Sequence, residues 1–241
     1  MKLKLTLRAL PVVLTTLTVA AICQTAPARA DDNSPANNPN TLRVGMYFIF
    51  YHVKAGDITG PYTPAGVNLD LKNTQTAYFG YIRRLTSYLD LELAFGIPPN
   101  TKTVGKGPAT LGSVPYNGQT IATAKWLAPS ALIEYKFFSE SAALRPYIGV
   151  GVNYTSFYDR QVTAAGAAGT GGPTRLSLTS SVGPVGTVGL KYQLGTRWSV
   201  NASYNISQVD SNLKTDTAGV IRTSRVHFGP QALVVAAGYS F

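Results

Sequence analysis

The segment LDLELAFG, Leu89 to Gly96, alternates without a break: Leu89, Leu91, Leu93 and Phe95 share one side of an extended chain, while Asp90, Glu92, Ala94 and Gly96 share the other. A helix would bring Asp90 and Leu93 to the same side and mix the two sets. The pattern therefore predicts a strand with one face in an apolar medium. Eight such segments of roughly ten residues follow one another after residue 41, and this weak, repeated signal is that of a transmembrane barrel. The others are LRVGMYFIFYH (42–52), QTAYFGYIRR (75–84), WLAPSALIEYKF (126–137), PYIGVGVNYTSF (146–157), TSSVGPVGTVGLKY (179–192), RWSVNASYNIS (197–207) and the terminal ALVVAAGYSF (232–241). Most chains fray into a polar tail, whereas here the alternation runs to Phe241.

Connection lengths predict the topology. The links 85–88, 138–144 and 193–196 are short, and the links 52–74, 97–125, 159–175 and 210–222 are long and rich in Gly, Pro and Thr. Short turns on one rim and long loops on the other are how outer-membrane barrels are built, with the turns periplasmic. A soluble eight-stranded barrel would turn a charged face to water. Here the second face is mostly Gly, Ser, Thr and Asn, and the strand ends carry Tyr154, Trp198, Tyr239 and Phe241, as an interfacial girdle does. The expected fold is all-β: an eight-stranded antiparallel transmembrane β-barrel with short periplasmic turns and long extracellular loops.

The N-terminus agrees with export. Lys2, Lys4 and Arg8 precede the apolar stretch ALPVVLTTLTVAAI, and Ala28 and Ala30 fit the small-x-small rule before a cleavage site. That stretch is interrupted by Pro11 and is short for a spanning helix of roughly 20 residues. Residues 1–30 are expected to be a cleaved signal peptide, 31–41 (DDNSPANNPNT) a disordered leader and 42–241 the barrel, in the outer membrane of a Gram-negative cell. The single cysteine, Cys23, falls within the signal, so disulfides take no part in the expected barrel. Losing Lys2, Lys4, Arg8 and Arg29 also reduces a formal charge of +10, and the remaining Lys and Arg are scattered, so the basic pI is no argument for nucleic acid and no such partner is expected.

Inside an eight-stranded barrel there is room for side chains or one small ligand, not for an open aqueous pore. Asp90, Glu92, Glu134 and Lys136 sit on the inward side of neighbouring segments, since charges facing lipid are costly. Glu92 is expected to pair with Lys136 or Arg83 in a network that plugs the lower lumen or tunes selectivity. Tyr47, Tyr51, Phe79 and Tyr81 are assigned to the lumen as ligand contacts or as filling. His52 and His227 end neighbouring strands near Asp57, but without a third ligand at readable spacing no metal or catalytic site is expected. No H-E-x-x-H pair or G-x-S-x-G elbow occurs, and GVGVNY lacks the third Gly and the helix of a dinucleotide fingerprint. No cofactor is expected.

LRPYIGVGVNYTSFYD, NTQTAYFGY, LELAFGIP, APSALIEYKF and the closing AAGYSF resemble, in order and spacing, the OmpW family of outer-membrane proteins. The resemblance implies a narrow, partly hydrophobic lumen closed toward the periplasm, passive uptake of small hydrophobic solutes and their release sideways into membrane lipid. It also implies, as an alternative, a non-transporting surface barrel acting as adhesin or bacteriocin receptor through its loops. Family members narrow the lumen with bulky inward residues on strands three and seven. The matching positions here, Ala94 and Asn205, imply a wider or more polar pocket. Tyr239 and Phe241 resemble the terminal signal by which such barrels are handed to the outer-membrane assembly machinery. Pro129, Pro146, Pro184 and Pro230, which lack a ladder donor, mark candidate weak points in the wall.

Overall fold

Each alternating segment becomes a wall strand in the computed structural model, which describes residues 38–111 and 113–241. The expected signal peptide, and the expected leader up to residue 37, lie outside the described residues. The wall consists of β1 (Asn40–Tyr51), β2 (Thr74–Arg84), β3 (Leu89–Gly96), β4 (Ser130–Lys136), β5 (Leu144–Val162), β6 (Ser181–Leu194), β7 (Trp198–Ser207) and β8 (Pro230–Ser240). Neighbours in sequence pair antiparallel, and β1 pairs with β8 from Thr41–Ser240 to Tyr51–Pro230, so the sheet closes on itself. Closure leaves no unpaired edge, which is the condition for strands to span a membrane. Among the described residues no helix is long and apolar enough to cross one.

β1 begins earlier than expected. Asn40 donates its N–H to the Phe241 carbonyl at 3.2 Å and accepts from the Phe241 N–H at 2.9 Å, so residues 40 and 41 belong to the wall rather than to a leader. The terminal strand therefore holds the start of the barrel as well as its end.

The outward face is apolar and bare: Val150 and Val182 are 72% and 73% exposed, and Leu42, Val44, Ile148, Val188 and Leu233 lie beside them in the same belt. A soluble monomer rarely carries so continuous an apolar surface. Rings gather at its margins. Trp198 meets Tyr239 at 5.0 Å between centroids and Tyr88 meets Tyr135 at 6.1 Å on the short-turn side, while Phe79 stacks on Phe95 at 5.5 Å farther up.

Phe79 and Tyr81 are therefore corrected: they face outward. Gly45 pairs with Tyr78 and Arg43 with Gly80, so the inward residues of β2 are Tyr78, Gly80 and Ile82, and Tyr78 is only 3% exposed. Both faces of QTAYFGYIRR carry aromatics, so alternation alone did not fix which one is inside.

The long connections contain strands of their own. Thr120–Leu127 pairs with the upper half of β5, where Ser156 meets Leu127, and with Asn100–Lys106, which in turn pairs with Asn68–Leu71. Thr174–Leu178, Asp210–Thr217, Val220–His227 and Lys54–Ala55 form a second small sheet. A short helix, α1 (Ala164–Thr170), starts with the Thr163 hydroxyl accepting from the Gly166 N–H and stops at Gly171, in the left-handed conformation. Together these pieces enclose an apolar core that includes Leu69, Leu71, Trp126, Phe157, Leu213, Val226 and Phe228.

The expected fourth segment is split. Trp126 and Leu127 belong to this extracellular extension, and β4 starts only at Ser130. Pro129 cannot donate to a ladder, and its carbonyl accepts from Tyr154 at 3.0 Å.

Candidate functional site

The lumen is sealed at its periplasmic end. Asp90, Glu92, Glu134 and Lys136 all point inward and are at most 6% exposed. Their pairing differs from the expectation: Lys136 Nζ lies 2.6 Å from Asp90, and Glu92 pairs with neither Lys136 nor Arg83. Its cation is Arg43, on β1 across the barrel, which lies 3.6 Å from Glu92 and reaches both Glu134 oxygens at 3.4 Å. Arg83 is outside, donating to Asn40 at 2.8 Å.

Tyr78 donates its hydroxyl proton to Glu92, and the Arg43 guanidinium lies over the Tyr147 ring, 5.4 Å from its centroid. Glycines make room for these rings. A Cβ on Gly189 would run into Tyr147, and one on Gly80 into the Tyr78 hydroxyl. Lower still, Arg145 donates to the carbonyls of Ser87 at 2.8 Å, Phe138 at 3.0 Å and Phe137 at 3.3 Å. Nothing apolar crosses such a floor cheaply, because it would strip charged groups of their partners.

Above the floor lies a cavity of about 100 Å³. Tyr47, Tyr51, Ala94 and Asn205 all line it, beside Tyr78, Glu92, Leu132 and Ser203. Tyr47 and Tyr78 meet edge to face at 5.0 Å. Ala94 and Asn205 contribute a small and a polar side chain to this lining, and a group of rings packs beside it. Trp126 packs against Phe157 and Phe228, both at 4.7 Å between centroids, and against Tyr51 at 5.1 Å.

A larger cavity of about 240 Å³ lies inside the extension, and Trp126 lines both cavities, with Tyr51 on the lumenal one and Phe228 on the outer one. Leu69, Leu71, Leu111, Leu176, Leu178 and Leu213 line the outer cavity together with threonines. Burial pushes the Tyr116 hydroxyl there up to about 12, so it stays a neutral donor.

The wall beside the lumenal cavity is interrupted. Between β2 and the chain that follows β3, the ladder ends at Tyr78–Gly96 with one further bond from the Ile97 N–H to the Ala77 carbonyl at 3.2 Å, and it resumes where the Lys72 N–H meets the Lys102 carbonyl at 2.9 Å, beside Leu71–Thr103. On the other side of the same stretch, pairs stop at Ala94–Ser130 and resume at Asn100–Lys125. Pro98 and Pro99 fall inside this gap and Pro129 faces it, so three positions lack an N–H. Gly96, Ile97, Pro99 and Ala128 line the cavity at that point. The other prolines named from sequence sit within paired registers: Pro146 opposite Leu190, Pro184 opposite Val152 and Pro230 opposite Tyr51.

Tyr239 and Phe241 stand at the periplasmic rim, Tyr239 accepting from Arg197 at 3.1 Å and Phe241 48% exposed. His227 pairs with Asp210 at 2.8 Å, and Asp57 instead accepts from Gly66 and Asn68. Sequence reading missed Arg43, Tyr78, Trp126, Phe157 and Phe228. Arg43 carried a signal: a lone charge on the inward side of an otherwise uncharged segment needs a counter-ion.

The OmpW family model matches residues 43–241. Outer membrane protein W of Vibrio cholerae is 27% identical over 201 residues, covering 83% of this chain and 87% of that protein. A protein of Pseudomonas aeruginosa named dibenzothiophene metabolism operon protein PahQ is 28% identical over 142 residues, 57% of this chain and 59% of its own. Among solved structures, the crystal structure of the outer membrane protein OprG from Pseudomonas aeruginosa shares the fold, with a TM-score of 0.75 at 21% identity over 85% of this chain and 96% of that one. A closed barrel with an apolar belt, a sealed lumen and these relatives lead to one assignment: the chain is an outer-membrane protein and belongs to the OmpW family.

Proposed function

We propose that the barrel passively carries small hydrophobic molecules from the outer cavity, past the Trp126 cluster, into the lumenal cavity and sideways through the wall into the bilayer. One observation carries this reading: the cavity that is sealed below by ion pairs opens against the stretch of wall where strand pairing lapses, at Pro98, Pro99 and Pro129. A solute at that level meets a charged floor beneath it and hydrocarbon beside it. Burying apolar area is favourable by roughly 25 cal/mol per Å², so the lateral step needs no energy source. The name of PahQ, which refers to dibenzothiophene metabolism, supports an apolar aromatic solute. Tyr239 and Phe241 are proposed to present the barrel to its assembly machinery.

The test uses vesicles containing the P98C/L127C variant, whose two thiols flank the gap and have no competitor beyond Cys23 of the expected signal. Treated with a short bis-maleimide, the variant is expected to lose uptake of a neutral aromatic probe, while a mono-maleimide leaves it intact. Equal uptake after both treatments refutes lateral exit. Uptake no faster than in protein-free vesicles refutes carriage altogether.

A further inference from the structure

The outer cavity is lined by leucines and other apolar residues together with threonine and tyrosine hydroxyls, and its wall holds one arginine. Arg222 is 8% exposed and is the one charged residue among those lining the cavity. It lies on Val220–His227, directly opposite Thr215, so both side chains point the same way into the cavity. The Thr215 hydroxyl is buried and has no hydrogen-bond partner.

Arg222 itself donates only to neutral oxygens: to the Thr217 hydroxyl at 3.3 Å and to the Thr170 carbonyl at 3.5 Å. Among the described residues no carboxylate pairs with it. Asp216, opposite Ile221 and next to the Thr215–Arg222 pair, accepts from the Gly219 N–H at 2.9 Å in the turn.

A guanidinium out of water without an anion is costly, and buried charges are ordinarily paired. The five donors of Arg are satisfied best by a planar, bidentate anion. Two independent features, an unpaired buried cation and an orphan hydroxyl, thus meet in the wall of this cavity. We infer that the outer cavity binds apolar monocarboxylates, with the carboxylate on Arg222 and Thr215 and the hydrocarbon or aryl body against Leu176, Leu178 and Leu213. This rests on the outer cavity being the entrance of the proposed path, and it adds apolar molecules with one anionic head to the solutes the cavity admits.

The experiment compares 4-phenylbutyrate with 4-phenylbutyramide, which share a body and differ in charge, by calorimetric titration of the full barrel in nanodiscs against empty discs. The wild type is expected to bind the acid tenfold or more tighter than the amide, the range of a charge-assisted hydrogen bond. Arg222→Met is expected to abolish the preference for the acid over the amide, and Arg222→Lys to keep part of it. Heat-modifiable electrophoretic mobility reports whether each variant is folded. The wild-type ratio tests the inference without any variant.

Equal binding of acid and amide overturns it, as does a preference that survives in folded Arg222→Met. The two proposals fail separately. Loss of the acid preference with neutral-probe uptake intact sinks this inference alone, and a clear preference without uptake sinks the carrier.

Discussion

Removing the Arg43 side chain tests whether the lumen floor is held by its ion pairs. Arg43→Met keeps most of the aliphatic stem and deletes the guanidinium, leaving Glu134, fully buried, and Glu92, 6% exposed, without a cation. Three contacts at 3.4 to 3.6 Å disappear together. Breaking one side of a buried pair costs about 3–5 kcal/mol, chiefly because the surviving charges stay desolvated. Neutralising the survivors recovers most of this loss, so R43M/E92Q/E134Q is expected within about 2 kcal/mol of wild type.

Urea unfolding in lipid vesicles, followed through Trp126 and Trp198, reads both numbers, since these are the two tryptophans of the chain. A single-variant loss below about 1 kcal/mol would mean that water or rearrangement already supports the carboxylates. A triple variant no more stable than R43M would mean that packing around the Arg43 stem and Tyr147, not charge, holds the floor. Either result refutes the argument.

Three further outcomes follow from the geometry. Trp126→Ala removes ring contacts to Tyr51, Phe157 and Phe228 where the side chain lines both cavities, so influx of a neutral aromatic probe into vesicles is expected to rise; unchanged influx would show that the cluster is no constriction. Gly189→Val drives a side chain into the Tyr147 ring, and the folded yield is expected to fall sharply, whereas the same change at Gly118, where a Cβ meets nothing within 4 Å but φ is +82°, costs only local backbone strain of about 1–2 kcal/mol. Deleting Phe241, which is already 48% exposed, is expected to lower the amount of barrel in the outer membrane far more than it lowers refolded stability in vitro; equal losses in the two measurements would reduce its role to packing.

The wall was legible because period-two alternation is local. LDLELAFG needs no partner to declare its faces, and the charged residues it turns inward are inward in the structure. Where both faces carry rings, as in QTAYFGYIRR, the answer comes from cross-strand register, Gly45 against Tyr78, and no single segment contains it. The floor was half legible for the same reason. Each acid announces itself, but Arg43 and Glu134 are 91 residues apart and meet only once the barrel closes.

The extension was the least legible part. TKTVGKG and SNLKTDT are short and polar, and their strands exist through pairing with separate pieces, Asn68–Leu71 for the first and Thr174–Leu178 for the second. Trp126 was misplaced because an apolar residue beside SALIEYKF extends an apolar pattern smoothly; Pro129 was the mark of the break.

The position of that break has a physical consequence. A strand that crosses the hydrocarbon core needs roughly 9–11 residues, and β3 and β4 have 8 and 7, whereas β5 has 19. The wall is thus shortest where its two neighbouring seams both lapse. Backbone without ladder partners is tolerated at membrane depth only where it is covered by protein or lines a cavity, and Gly96, Ile97, Pro99 and Ala128 line one. A single proline could be accommodated at one bond; three around one gap, beside a chamber with a closed floor, argue that the interruption is kept rather than merely endured. If so, replacing Pro98 and Pro129 with threonine, which restores two donors in a residue that favours strands, should stabilise the barrel to urea while slowing uptake of the neutral probe. A variant more stable and equally fast would separate the gap from the path.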